Sequence, residues 1–310
     1  VTFFPPPGAR ALVGDFTDWL RRPIPVSGPV RRAFPPGSYI EYAYLDAEGR
    51  PFPDPAATHL AENPWWDYAR AVVLPGWRYE APPRLGVPPG RLQRMKFESR
   101  AFGEPRRLIV YEPAEKPRAV LFVQDGVAFF RIGKMAEIAE ALIRSGEIHP
   151  VRIVFIEPSD RNREYRFDPA YRALVLEELL PRFGDGLSAG LWGASLGGLA
   201  SLWLWGEEAA FSFAMAHSPA LRARPGGSDA HRDPEWLTER LAEKALSGRV
   251  YIEVGLLEWL LAPARRFAAM LAEGGLAHAY RERPSGHNWV TWRQGIAPGL
   301  RELLGRDLPL

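Results

Sequence analysis

Gly193-Ala194-Ser195-Leu196-Gly197-Gly198 is the stretch on which the reading of this chain turns. It fits the pattern G-x-S-x-G, in which a serine sits on a very tight strand-to-helix turn in a strained backbone conformation. Strand and helix can approach that closely only if the residues around the serine are small. Gly193, Ala194, Gly197 and Gly198 meet the demand. An apolar, strand-like run at 188–192 leads in, and residues 196–206, rich in Leu, Ala and Trp, lead out as a helix. The bare pattern arises fairly often by chance, and the competing reading is a Gly-rich helix start that only packs tightly. The strand before it and the helix after it give the motif its weight.

Working outward, strands and helices alternate. Apolar, β-branched runs predict strands at 107–112, 119–124, 151–157, 213–217, 249–254 and 279–282. Helical spacing predicts helices at 134–145, 169–183 and 262–274, with Asp168 as N-cap ahead of Pro169. Asp233 reads as the cap of a helix opening at Pro234 and running to about Ser247. Such alternation means a mostly parallel sheet with helices on both faces. Residues 1–80 differ. Short β-type runs at 11–13, 39–45 and 69–74 are broken by turn signals such as Pro35-Pro36-Gly37, which suggests a small β-sandwich. The Pro- and Gly-rich stretch 81–94 reads as a linker, leaving 95–310 as the α/β domain. The expected fold is an α/β-hydrolase preceded by a small N-terminal β-sandwich.

A length of 310 residues suits one large domain or two ordinary ones. With 46% hydrophobic and 25% charged residues the chain reads as folded and globular. A net charge of +2 gives no reason to expect nucleic acid or a membrane surface as partner, and no apolar run approaches the roughly 20 residues that span a bilayer. Residues 1–10 carry three consecutive prolines and do not read as a signal peptide. Cysteine is absent, which excludes disulfides, thiolate nucleophiles and Cys-based metal sites and fits a cytoplasmic setting. No cofactor or metal is called for, since the histidines are scattered and lack ligand spacing. The expected partner is a small-molecule ester; oligomeric state has no signature.

A serine nucleophile needs a base. Of His59, His149, His217, His231, His278 and His287, the last lies in Pro284-Ser285-Gly286-His287-Asn288-Trp289, a loop after a predicted strand. That places it at the C-terminal edge of the sheet, where such sites collect. His217, at the end of its own strand, is the competitor, either lining a pocket or packing locally. The chain order Ser, acid, His points to Glu258, which follows the strand at 249–254 by Gly255-Leu256-Leu257. Asp229 and Asp233 compete, and Glu258 as a helix cap is the bland alternative. Two backbone donors must hold the oxyanion. One is the N–H of Leu196. The other comes from Val127 or Gly126 in the loop after the strand at 119–124.

The motifs VLFVQDG (120–126), DRNREY (160–165), EELLPRF (177–183), GASLGG (193–198), VGLLEWLLAP (254–263) and GHNWVTWR (286–293) occur in one order along nearly the whole chain. Together they resemble the enterochelin esterase (ferric-enterobactin esterase) group of the esterase D family. The resemblance implies a catalytic triad on Ser195, Glu258 and His287, and the related mycolyltransferases make Val127 the first choice for the second oxyanion donor. The N-terminal part resembles the early-set, immunoglobulin-like domain of those esterases. Gly14-Asp15-Phe16-Thr17-Asp18-Trp19 also resembles a signature of glycan-binding modules, so Phe16 and Trp19 are either core residues or sugar-binding faces. A third reading has Asn63-Pro64-Trp65-Trp66 shaping the hydrolase pocket, with the two tryptophans facing opposite ways. The implied activity is a serine esterase working through an acyl-enzyme, on substrates such as enterobactin-like lactones. A mycolyltransferase-type acyltransferase, and a carbohydrate-ester esterase or glycan-binding protein, are the alternatives. A trianionic catecholate substrate asks for cations; Arg161 and Arg163, after the strand at 151–157, are candidates, unless they serve surface ion pairs. Trp289, beside the base, is a further candidate substrate contact.

Overall fold

The computed structural model describes residues 1–78, 90–227 and 232–309. The chain forms two compact parts. One comprises Val1–Glu80 with Val254–Leu261 and Glu282–Thr291; the other comprises Ala81–Glu253, Ala262–Arg281 and Trp292–Leu310.

In the first part Tyr39–Leu45 is the central strand, paired antiparallel with Ala11–Gly14 on one side and Arg70–Val73 on the other. Ile24–Pro25 and His59–Leu60 extend the sheet at its ends. All seven residues of the central strand are buried. Alternate side chains point to opposite faces, and each face has its own apolar cluster. Ala43 and Leu45 join Val13, Trp19 and Ala69, whereas Tyr42 and Tyr44 join Phe3 and Leu12. This is the expected small antiparallel β-domain. The packing of its aromatics agrees with the reading of Phe16 and Trp19 as core residues. Trp19 is buried against Trp66 at 4.5 Å between ring centroids, and Phe16 packs on Phe34 at 5.2 Å. Of the adjacent tryptophans, Trp66 points inward and Trp65 is exposed.

An eight-stranded sheet carries the rest. Its strands, in chain order, are β1 (Arg91–Ser99), β2 (Glu104–Glu112), β3 (Ala119–Val123), β4 (Val151–Ile156), β5 (Ser188–Ala194), β6 (Phe213–His217), β7 (Arg249–Gly255) and β8 (His278–Arg283). Their spatial order is β8-β7-β6-β5-β3-β4-β2-β1. From β4 through β3, β5 and β6 to β7 the pairing is parallel; β2 runs antiparallel to both β4 and β1. The parallel strands are buried on both faces, which explains their unbroken apolar sequences. The fold is an α/β-hydrolase.

Three expectations are corrected. The proposed linker ends early, because β1 begins at Arg91 and pairs with β2 along its whole length; residues 81–89 of that linker lie outside the described residues. The helix predicted at 169–183 starts as expected, with Asp168 accepting from the Ala170 N–H. It then widens into a π-helix at Leu174–Leu179 before a last α-turn at Leu180–Phe183. Pro181 lies in that last turn and has no N–H to continue the ordinary ladder, so the local widening has a cause. Asp233 does not cap a helix: its carboxylate stands 3.6 Å from Arg224, and the following helix, Trp236–Ala242, has Glu235 at its N-cap. The long C-terminal helix Trp289–Leu304 is not anticipated, because Gly295, Pro298 and Gly299 interrupt its pattern. Among the described residues no helix is long and apolar enough to cross a membrane.

Candidate active site

Ser195 stands between β5 and the helix Leu196–Glu207 with φ 56° and ψ −121°. A non-glycine residue at positive φ is strained, and such strain persists only where the surroundings enforce it. Here they do. The Ser195 N–H donates to the His217 carbonyl at 2.9 Å, and the Ser195 carbonyl accepts from the N–H groups of Leu199 and Ala220 at 3.0 Å each. The glycines leave no slack: a Cβ on Gly193 would lie 2.3 Å from the Gly197 backbone, and one on Gly197 would lie 2.9 Å from the Gln124 Cβ. The tight turn inferred from the motif is therefore present. Leu196 opens the helix, where backbone N–H groups lack intrahelical partners and the helix dipole favours negative charge.

The loop after β3 departs from expectation. Asp125 lies at φ 53° and the helix Gly126–Arg131 follows. The N–H of Val127 donates to Glu157 Oε2 at 3.0 Å, so the first-choice oxyanion donor is engaged by a carboxylate. Burial pushes the Glu157 carboxyl up from its ordinary range, Asp125 adds to the shift, and the Val127 N–H, Arg107 and Arg131 oppose it. A Cβ on Gly126 would fall 2.4 Å from the backbone of Phe155 and Ile156, which brings this turn hard against β4.

Arg161 and Arg163 prove to be tied to carboxylates of the protein. Arg161 forms a two-pronged pair with Asp125, at 2.8 and 3.0 Å, and donates to the Ala194 carbonyl at 3.1 Å. The Tyr165 hydroxyl accepts from the Asp125 N–H at 2.8 Å. Residues 160–165 thus clamp the Asp125-Gly126 turn and the residue before the serine. Arg163 pairs with Asp168 at 2.9 Å. Glu164 of the same motif is buried against Arg106 at 2.9 Å, and Arg106 stacks on the Phe102 ring at 3.5 Å.

The imidazole and its carboxylate meet as expected. His287 Nδ1 lies 2.7 Å from Glu258 Oε2, with the Glu258 side chain fully buried and 14% of His287 exposed. Glu258 Oε1 accepts from the Gly255 N–H at 2.6 Å, which fixes the second oxygen. Both loops are laced together: the Leu256 N–H donates to the Arg283 carbonyl, and the Leu257 N–H to the Ser285 carbonyl. Trp259, which the sequence did not single out, lays its ring 4.6 Å from the His287 ring. Trp289, the candidate substrate contact, is 3% exposed and packs against the exposed Trp65. His217 is fully buried, with Nδ1 3.6 Å from Glu253 and its ring beside Phe129 and Trp192. Asp229 and His231 lie outside the described residues. Among the described residues no group of three or more His, Asp or Glu could hold a metal ion.

Strand order and elbow define the class, the α/β-hydrolases. Within it, the model of the Esterase family ("Putative esterase") matches residues 99–303, and the chain belongs to that family. Its fold is similar to that of ferric enterobactin esterase from Salmonella typhimurium, with TM-score 0.74 and 17% identity over 97% of this chain and 92% of that one. It is also similar to the enterobactin esterase FES from Shigella flexneri, solved in the presence of 2,3-di-hydroxy-N-benzoyl-serine, with TM-score 0.73 and 17% identity over 97% and 91% of the two chains. An IroE-like serine hydrolase from Shewanella oneidensis aligns with TM-score 0.57 and 20% identity over 69% and 80%. Among curated proteins, the uncharacterized protein YjcH of Bacillus subtilis (strain 168) is 30% identical over 131 residues, or 36% of this chain. The chain spans 55% of the length of that relative.

Proposed function

We propose that the protein is a serine esterase in which Ser195 is the nucleophile, His287 its general base and Glu258 the carboxylate that orients the base. The observation that carries this reading is the enforced positive φ of Ser195 on a turn lined by glycine. The Glu258–His287 pair supports it independently. In the first half-reaction His287 Nε2 takes the hydroxyl proton as Ser195 Oγ attacks the ester carbonyl, and the same proton passes to the departing alcohol as the acyl-enzyme forms. In the second, His287 takes a proton from water, hydroxide adds to the acyl carbon, and Ser195 recovers its proton as the acid leaves. Glu258 holds the proton on Nδ1 and stabilises the imidazolium. The Leu196 N–H is one oxyanion donor. The Val127 N–H is the other, released from Glu157 when substrate enters, with the Gly126 N–H as the alternative.

The substrate reading moves from Arg161 and Arg163 to another set of cations. A surface cleft of about 320 Å³ beside Val127 is lined by Arg94, Lys96, Arg107 and Arg131 together with Met95, Leu108 and Ile109. All four cations are exposed, and among the described residues none has a carboxylate within salt-bridge distance. Lys96 sits directly opposite Arg107 in the β1–β2 ladder, a like-charge pairing that costs stability. An ester bearing anionic groups, as catecholate siderophore lactones do, answers that charge.

A fluorophosphonate probe is expected to label the wild type and not Ser195→Ala. On a p-nitrophenyl ester, Ser195→Ala should lose roughly 10⁵–10⁶ in kcat, and Glu258→Gln roughly 10³–10⁴. Folded wild type that resists the probe and turns over no ester would reject the assignment. A preference for anionic over neutral acyl groups that fades with salt would support the substrate class.

A further inference from the structure

The residues that mount His287 come partly from the opposite end of the sequence. Gly14-Asp15-Phe16-Thr17 forms a closed turn in which Thr17 Oγ1 accepts from the Gly14 N–H at 2.9 Å. The turn lies on the central strand Tyr39–Leu45, so close that a Cβ on Gly14 would sit 2.4 Å from the Glu41 carbonyl. This fixes Asp15, which is buried. Its Oδ2 accepts from the Glu41 N–H at 2.8 Å and from Asn288 Nδ2 at 3.1 Å. On the other flank of the histidine, a Cβ on Gly286 would lie 2.1 Å from the Asp15 Cγ. The Asp15 carboxyl therefore touches the residue before His287 and the residue after it. Asn288 passes the constraint on: its Oδ1 accepts from the Thr291 N–H at 3.0 Å, and Thr291 Oγ1 donates to the Gly286 carbonyl at 2.9 Å. The Tyr39 N–H donates to the Pro284 carbonyl at 3.0 Å, a further tie to the same loop.

We propose that Asp15 is a positioning residue for His287, so that the N-terminal β-domain sets the orientation of the general base. The proposal rests on the reading of His287 as that base. Positioning is worth much in such a site, since a misplacement of about 1 Å costs on the order of a hundredfold in rate. The acid itself is unusual. Burial, with the neighbouring charges of Glu41 and Glu258, pushes the Asp15 carboxyl well above the ordinary range. Its Oδ2 nevertheless serves as an acceptor on both sides, from the Glu41 N–H and from Asn288 Nδ2. An asparagine would reproduce the shape of the side chain and the acceptor oxygen that takes these two hydrogen bonds.

The test compares wild type, Asp15→Ala, Asp15→Asn and Asn288→Ala on p-nitrophenyl butyrate, with kcat normalised to the sites titrated by a fluorophosphonate. Asp15→Ala is expected to lower kcat by roughly ten- to a hundredfold with KM within about threefold. Asp15→Asn should recover most of that loss. Asp15→Ala with kcat within twofold of wild type overturns the proposal, as does an Asp15→Asn as poor as Asp15→Ala. Should Asp15→Ala fail to fold, Asn288→Ala removes the same hydrogen bond with Asp15 in place. A kcat for it within twofold of wild type overturns the proposal equally. A wild type inert to probe and ester would instead reject the esterase reading itself, a result separable from failure of the Asp15 variants alone.

Discussion

At the scale of single residues, the sequence singles out candidate chemical groups but not the neighbours that folding brings to them. Ser195, Glu258 and His287, the proposed nucleophile, acid and base, stand out because such roles need particular side chains just past the end of a strand. Glu157 carries no such mark: it follows a buried strand, and only folding brings it to the N–H of Val127. Its effect is testable. If Val127 is the second oxyanion donor, Glu157 competes with the developing oxyanion for the same N–H, and Glu157→Ala is expected to raise kcat/KM for a neutral ester several-fold. An unchanged or lower value would point to Gly126. Trp259 was equally unmarked, because a tryptophan after an acid has many reasons to exist; its ring against His287 shows only in three dimensions.

At the scale of elements, local composition predicted most strands of the large sheet and several of its helices, since buried parallel strands are apolar throughout and amphipathic helices repeat. It failed where a long-range partner overrode local signals. Arg91 to Arg94 look like linker beside so much Pro and Gly, yet each pairs with a residue of β2, the first four of nine consecutive pairings that make β1 a strand. The segment 160–165 was read as a source of cations for substrate, whereas Arg161 is a strut between the turn at Asp125 and the carbonyl of Ala194. The two roles predict different kinetics. As a strut, Arg161→Ala should lower kcat roughly tenfold for neutral and anionic esters alike. A loss confined to KM for anionic esters would restore the substrate-contact role. The buried Arg106–Glu164 pair behind this segment was also illegible, because sequence does not show which charges will be enclosed.

At the scale of the whole molecule, the division into a β-domain and an α/β domain was legible, but not the allegiance of the loops. Residues 254–261 and 282–291, which bear Glu258 and His287, belong to the same compact part as the N-terminal strands. That part carries a consequence for pH. Burial pushes Glu41 up to about 7, against hydrogen bonds from Asn63 and Tyr39 that oppose the shift, and Asp15 moves in the same direction. The folded state then keeps protons that the unfolded chain releases above about pH 4.5, so stability is full below that pH and falls as pH rises through about 7. Melting temperature is expected to drop between pH 5 and pH 8, and Glu41→Gln should flatten the slope. An equal slope in both proteins would show that another group is responsible.

The contact between Asp15 and Gly286 bears on how this protein can be diversified. A gene library that randomises position 286 alone will return glycine, because every other side chain meets the carboxyl of Asp15. A chimaera that exchanges residues 1–80 for those of a homologue must bring a residue at position 15 that fits the one at position 286. Recombination breakpoints placed between them will therefore be purged, and useful ones should be sought where both positions come from one parent.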